Sequence, residues 1–339
     1  MALAEEIREQ PSVISRALGV NRGKAREVAD LARGCTHAVI AARGTSDNAG
    51  RYAQYVWGTR NGLSVGLTTP SLFSIYDRPP KLTDALVVGI SQSGQSPDIV
   101  SVLEEARSQH RPTVALTNDP ASPLAEAADV IVDLAAGEER SVAATKTYTS
   151  ALAMVALISD SIGPEVGALG EIPPSVDGVL DLEGEIESAA RSFADIEHCA
   201  VLGRGFNHAT AFEWALKLQE LTQVVAQPFS TADFLHGPVA VVEFGYPVLA
   251  VTMRGPVHEE VSEVLKRAAS AGANLMTISD DPALAGLAGQ HVTIPGGLEE
   301  WLTPLPAIVA CQLFAYHLTL AKGLDPEQPR GLKKVTRTT

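Results

Sequence analysis

Basic side chains are scarce in this chain: 26 Lys and Arg stand against 40 Asp and Glu over 339 residues, a formal net charge of -14. That balance excludes gripping nucleic acid or anionic lipid as the main task, because both need a positive field. Cysteine is scarcer still, and Cys35, Cys199 and Cys311 lie far apart in no Cys-x-x-Cys pattern. They read as buried free thiols of a reducing compartment, not as a disulfide frame. His236 and His258 stand alone and no HExxH occurs, so no metal site is expected. The opening Met-Ala-Leu-Ala-Glu-Glu-Ile-Arg-Glu-Gln is too charged for a signal peptide, and no apolar run reads as long enough to span a membrane. A cytoplasmic chain without membrane or nucleic-acid partners is the expectation.

The composition, 45% hydrophobic and 19% charged, is globular, and the length suits two domains or one domain built twice. Apolar residues around Pro11 predict two short helical pieces within residues 3–18, and a further helix covers Asn21 to Arg33. Strands are expected at Thr36–Ala42, Gly62–Thr68, Leu86–Ile90, Pro112–Thr117 and Val130–Leu134. Helices run up to Val56, over Ile99–Ser108, briefly over Ser122–Ala128, and from Ala144 to Ile162. Such alternation means a doubly wound parallel sheet. Gly163 to Ser175 reads as a linker, a helix follows around Val179 to Phe193, and then the pattern restarts.

Ala38-Val-Ile-Ala-Ala-Arg-Gly44 is echoed by Ala200-Val-Leu-Gly-Arg-Gly205, and Leu86–Ile90 by Val248–Thr252. Gly44 and Gly205, Gly94 and Gly255, Asn118-Asp-Pro120 and Asp280-Asp-Pro282, and Gly163 and Gly323 all lie 160 to 162 residues apart. The chain is therefore an internal duplication, with two halves expected to face each other about a pseudo-twofold axis. The implied layout is an N-terminal helical segment (1–20), a first domain (21–165), a second domain (176–324) and a C-terminal tail (325–339).

The stretch Leu86-Val-Val-Gly-Ile-Ser-Gln-Ser-Gly-Gln-Ser-Pro-Asp98 is an apolar strand feeding a turn and then a helix. Ser91, Ser93 and Ser96 offer hydroxyls, Gln92 an amide, and Gly94 a close backbone approach, under a helix N-terminus that attracts phosphate. Read alone, the same residues also suit an ordinary strand-to-helix loop. Gly44-Thr45-Ser46 adds two hydroxyls at the same sheet edge, where open α/β sheets bind ligands. The second half has Met253-Arg-Gly-Pro256 where the first has Gln92-Ser-Gly-Gln95, so one phosphate site per chain is expected. Val142-Ala-Ala-Thr-Lys146 precedes a helix and brings amides and a cation, although Lys146 by itself reads as a surface lysine.

In the second half, Glu213, Lys217 and Glu220 share one helical face. Surrounded by Phe212, Trp214, Leu216 and Leu218, they are too apolar in setting for a fully exposed ion-pair row. His236 stands before Gly-Pro238, at a loop edge. The tail carries Lys333 and Lys334 on an extended segment; such tails are usually frayed, and this one is suited to delivering a lysine to a site.

Gly44-Thr-Ser46, Ser91-Gln-Ser-Gly94, Ala144-Thr-Lys146, Glu213-x-Ala-Leu-Lys217-x-x-Glu220, His236-Gly-Pro238 and Gln328-Pro-Arg330-x-Leu-x-Lys334 occur in this order. In that joint spacing the chain resembles double sugar-isomerase (SIS) domain proteins: the isomerase half of glucosamine-6-phosphate synthase and the type II glucosamine-6-phosphate deaminases. The resemblance implies two tandem flavodoxin-like domains. It implies phosphate contacts from Ser91, Gln92, Ser93 and Ser96 with Thr45 nearby, and substrate contacts from Gly44, Ser46, Gly94, Val142, Ala144 and Lys333. By the same resemblance Glu220 transfers protons, His236 opens the sugar ring, Lys334 forms a Schiff base, and Lys217 is a further active-site lysine. A homodimer in which His236 serves the neighbouring subunit's site is also implied. Ala144 replaces a serine of the family synthase and Ser96 a threonine. The glutamine-hydrolysing domain that precedes the isomerase there has no counterpart here, so no glutamine-derived ammonia is expected from this chain.

These roles fit the chemistry. A proton moved between adjacent sugar carbons needs a poised carboxylate, and ring opening needs a group passing a proton between oxygens. Fixing the phosphate contributes roughly 7–11 kcal/mol at best through positioning, and no metal or organic cofactor is called for. The leading expectation is conversion of glucosamine 6-phosphate to fructose 6-phosphate and ammonia. Another aldose-ketose isomerase or a fructosamine-6-phosphate deglycase would use the same scaffold, and a non-catalytic phosphosugar sensor is the alternative of another class. The enzymatic reading requires an anion pocket from the first half to meet the acid/base set of the second half and the tail.

Overall fold

Alternating apolar strands and amphipathic helices build two parallel five-stranded sheets in this computed structural model, which describes residues 1–163 and 167–334. β1 (His37–Ala41), β2 (Ser64–Leu67), β3 (Ala85–Ile90), β4 (Thr113–Thr117) and β5 (Val130–Asp133) form the first, in the order β2-β1-β3-β4-β5. β6 (His198–Leu202), β7 (Val225–Phe229), β8 (Pro247–Val251), β9 (Asn274–Ser279) and β10 (Gln290–Thr293) form the second, in the equivalent order β7-β6-β8-β9-β10. This is the flavodoxin-like doubly wound arrangement, made twice. All six residues of β3 and all five of β8 are buried, as a central strand covered on both faces requires.

The helices are α1 (Ala2–Arg8), α2 (Gln10–Ala32), α3 (Gly44–Asn61), α4 (Ser71–Ser74), α5 (Pro97–Ser108), α6 (Pro123–Glu126) and α7 (Lys146–Ile162). They continue as α8 (Ile172–Leu180), α9 (Glu183–Arg191), α10 (His208–Thr222), α11 (Thr231–Leu235), α12 (His258–Ser270) and α13 (Pro304–Ala321). On one side of the first sheet, Val87 and Ala115 pack with Ile99, Val102 and Leu103 of α5. In the second, Val248 and Ala250 pack with Val261, Val264 and Leu265 of α12. These matching layers make the duplication physical.

The chain divides into two compact units. The β1–β5 unit contains Ser12–Glu139 and Lys146–Gly170, and among the described tail residues Lys333 and Lys334 group with it. The β6–β10 unit contains Met1–Pro11, Arg140–Thr145 and Glu171–Leu332.

Several local expectations change. The two short pieces around Pro11 and the separate helix from Asn21 are replaced by α1 and one 23-residue α2. Pro11 lies in the first turn of α2, where its missing N–H removes no helical hydrogen bond. α3 continues past Val56 to Asn61 and ends at Gly62, whose φ of 64° suits glycine. The expected linker is shorter than Gly163–Ser175: a 3₁₀ turn forms at Ala168–Glu171 and α8 starts at Ile172, with a proline in its first turn. Residues 164–166 of that stretch, and 335–339 of the tail, lie outside the described residues. One helical stretch, Glu300–Ala321, is apolar and long enough to cross a membrane by length and composition, contrary to the sequence reading. The fold buries 89% of its most apolar window, which makes it the core helix of the second unit. Cys199 and Cys311 are buried, but Cys35 is only half-buried. Burial pushes the Cys199 thiol up to about 12.

Candidate functional site

The strand order reverses between β1 and β3, so their C-terminal ends open a crevice at the first sheet's edge. β1 delivers Arg43 and Gly44-Thr-Ser46; β3 delivers the turn from Ser91 to Ser96. The turn is built by its own side chains: Ser91 Oγ accepts the Gly94 N–H at 3.1 Å and Ser93 Oγ accepts the Gln95 N–H at 3.3 Å. Gly94 has φ 61°, and a Cβ there would lie 2.1 Å from Ser122 Oγ, so only glycine fits. Ser96 precedes α5 but makes no side-chain capping bond. Among the described residues, the side chains of Ser46, Gln92 and Ser96 have no hydrogen-bond partner. Three polar side chains thus stand without partners beside the N-terminal end of a 12-residue helix, where the dipole favours an anion.

A buried Asp98 in the first turn of α5 would oppose an anion, but Arg43 Nε donates to its Oδ2 at 3.0 Å. Burial also pushes the Asp47 carboxyl above its ordinary range, despite Arg51 and Arg43 nearby. The crevice therefore carries hydroxyls and partly offset charge instead of bare carboxylates.

In the second unit, α10 brings together Glu213, Lys217 and Glu220, as their four- and three-residue spacing predicts. Lys217 is 1% exposed and Glu213 0%. Lys217 Nζ lies 3.4 Å from Glu213 Oε1 and donates a short hydrogen bond to Glu220 Oε2. Burial by itself would pull the Lys217 ammonium down; the Glu213 and Glu220 carboxylates more than offset this and hold it above its ordinary value. Glu220 keeps 21% of its side chain exposed, so it is held by a fixed cation yet open to solvent. His236 ends α11 and is exposed, its ring without a hydrogen-bond partner among the described residues. Gly237 beside it has φ 134°, which favours glycine.

The segment Arg140–Thr145, carrying Val142 and Ala144, groups with the second unit. The buried Glu6 carboxylate accepts the Arg140 N–H at 2.5 Å and the Ser141 N–H at 3.2 Å. Gln10 donates to Gln312 at 2.9 Å, and Gln312 reaches the Thr145 carbonyl at 3.5 Å. Lys146 is not a surface lysine: it is 3% exposed, because α7 carries it inward at its first residue. Lys333 is exposed, whereas Lys334 Nζ lies 2.7 Å from the carboxylate of Glu139. The sequence reading missed Glu6, Asp98 and Glu139. All three sit among other charged or helix-starting residues, and no local pattern separates them from solvated ones.

A model of the SIS domain matches residues 33–159 and 192–322, and the chain belongs to the SIS domain family. The isomerizing glutamine–fructose-6-phosphate aminotransferase of Pyrococcus horikoshii is 32% identical over 341 residues, covering 98% of this chain and 57% of that protein. The chain thus spans a little over half of that curated relative. The C-terminal domain of glucosamine-fructose-6-phosphate aminotransferase from Francisella tularensis superposes with a TM-score of 0.88 at 27% identity, covering 97% of this chain and 98% of that one. A Silicibacter pomeroyi structure provisionally named a phosphosugar isomerase is 31% identical with a TM-score of 0.86, covering 96% and 99%.

Proposed function

We propose that this chain is a phosphosugar isomerase that deaminates an amino sugar, taking glucosamine 6-phosphate and water to fructose 6-phosphate and ammonia. The observation that carries the reading is the Ser91–Ser96 turn, which leaves Gln92 and Ser96 unpaired at the N-terminal end of α5. Ser91 and Ser93 shape this cradle, Thr45 and Ser46 add to it, and the helix dipole favours the phosphate. Glu220 moves the proton between C1 and C2, and the buried Lys217 holds its carboxylate in place. His236 passes a proton between the ring oxygen and the anomeric oxygen, and Lys334 supplies the amine for a Schiff base with the open-chain sugar. The names of the relatives, an isomerizing aminotransferase and a phosphosugar isomerase, fit such chemistry.

The active form in this reading is a homodimer in which His236 serves the partner's site. His236 is exposed and flanked by exposed Leu235, Val241 and Phe244, the last 93% exposed, a surface suited to a second copy.

An ammonia-release assay on a panel of amino-sugar phosphates tests the reading. Glucosamine 6-phosphate should yield equal amounts of ammonia and fructose 6-phosphate, and Glu220→Gln should slow this by about 10²–10⁴-fold. Turnover of a ketose or fructosamine phosphate in place of glucosamine 6-phosphate would keep the isomerase and overturn the substrate. Tight binding of sugar phosphate with no turnover of any would overturn the enzyme.

A further inference from the structure

The carboxylate of Glu139 is fully buried just before α7. Its Oε1 accepts the Thr147 N–H at 3.1 Å and its Oε2 accepts the Thr147 hydroxyl at 2.8 Å. The first N–H groups of a helix have no partner within the helix, and a carboxylate there gains from the dipole, so these bonds orient Glu139 firmly. A buried carboxylate also needs a countercharge. Lys334, a quarter exposed, supplies one from the tail: its Nζ lies 2.7 Å from the same Oε2. The neighbouring Lys333 is exposed, so the contact selects one lysine of the pair. Seven residues upstream, the Glu327 carboxylate accepts the Leu3 N–H at 3.0 Å, a second point at which the tail is tied down.

We infer that Glu139 is a positioning residue for Lys334: a carboxylate locked on the N-terminus of α7 that docks the tail lysine in one place. The inference rests on the proposed role of Lys334 as the reacting amine. Glu139 acts through Lys334 and touches no substrate in this account. An ion-paired ammonium has no lone pair to offer a carbonyl, so Lys334 reacts after giving one proton to solvent, and the carbonyl oxygen leaves as water when the imine forms. The neutral amine still has an N–H to donate to Glu139, so the dock fixes where that amine stands.

The experiment uses the full chain as wild type, Glu139→Gln, Glu139→Asp, Lys334→Met and the Glu139→Gln/Lys334→Met double variant. Amide hydrogen exchange of the C-terminal peptide, read by mass spectrometry, should rise in each of Glu139→Gln and Lys334→Met. The double variant should add nothing further, the mark of a shared interaction. With glucosamine 6-phosphate, kcat/KM of Glu139→Gln should fall on the order of tenfold to a hundredfold, and Glu139→Asp should recover part of the loss. Unchanged tail exchange in Glu139→Gln would overturn the dock, reducing Glu139 to a cap on α7 even if activity falls. If exchange responds as expected while wild-type protein turns over no sugar, the dock stands and the proposed function falls.

Discussion

At the crevice where the strand order reverses, the β1–β5 unit presents Ser91, Gln92, Ser93 and Ser96, and the β6–β10 unit presents Thr252, Met253, Arg254 and Val257. The backbone frame is shared. Arg43 and Arg204 have nearly the same extended conformation, at φ -141° and -143°, and Gly44 and Gly205 after them are both left-handed. An ion pair joins each arginine to the helix after the next strand, Arg43 to the buried Asp98 and Arg204 to the half-exposed Glu260, one residue off the 161-residue offset. What differs is whether the lining is already satisfied. In the second unit Arg254 binds Asp281 at 2.9 Å, His258 binds Asp281 at 2.9 Å, and Asp280 accepts the Arg254 N–H at 2.8 Å. The contact with His258 holds the Asp281 carboxyl below its ordinary value. Glu300 fills the space beside Gly255. In the first unit the polar side chains of Ser46, Gln92 and Ser96 remain unspent. One copy consumes its polar groups in structure, and the other leaves three of them without a partner among the described residues.

The helices after β1 and β6 invert this pattern. At the positions of Glu213 and Lys217 in α10, α3 buries Tyr52 and Val56, 161 residues earlier. Replacing Lys217 by Met removes a buried cation from between the Glu213 and Glu220 carboxylates and should cost about 3–5 kcal/mol, measured by urea unfolding. Replacing both, Glu213→Leu with Lys217→Met, leaves α10 as uncharged at these positions as α3 is at Tyr52 and Val56, and should regain part of that loss. A second comparison pairs Gly94→Ala with Gly255→Ala. The first meets Ser122 at a left-handed position and should cost about 1–3 kcal/mol in the same assay. The second meets only the movable carboxylate of Glu300, 2.4 Å away, and should cost less. An equal cost would mean that the two turns are alike after all.

The smallest effect concerns Glu300 itself. Burial raises its carboxyl above the ordinary value of 4.5, so the folded state binds a proton more tightly than the unfolded one. Stability from this group is therefore present at low pH and is lost as pH rises from about 4.5 through the raised value. Melting curves across that range should show Glu300→Gln losing this slope, with a shift on the order of 1 °C. A slope identical to wild type would remove Glu300 from the account of the second crevice.

Much of this organisation is legible in the chain. Uninterrupted apolar residues mark β3 because both its faces are covered, and offsets of 160 to 162 residues carry the duplication. The Ser91–Ser96 turn is visible because its hydroxyls and glycine lie consecutively. Lys146 and Glu139 are not legible in this way. Each owes its burial to partners or packing distant in sequence, and Glu139 meets Lys334 across 195 residues. Pro11 misleads for a local reason, since proline breaks a helix interior but suits its first turn.

Sequence alone determined the strand periodicity, the repeat and where hydroxyl, carboxylate and amine side chains cluster along the chain, since these depend on residue type and near-neighbour spacing. Tertiary structure decided which polar groups are spent and which are open. Whether Arg254 is tied to Asp281 while Ser96 stays unpaired depends on loops brought together by strand pairing, and so do the burial of Lys217 and the docking of Lys334 on Glu139. Hydrogen bonding and desolvation act over a few ångströms of space, whatever the distance along the chain.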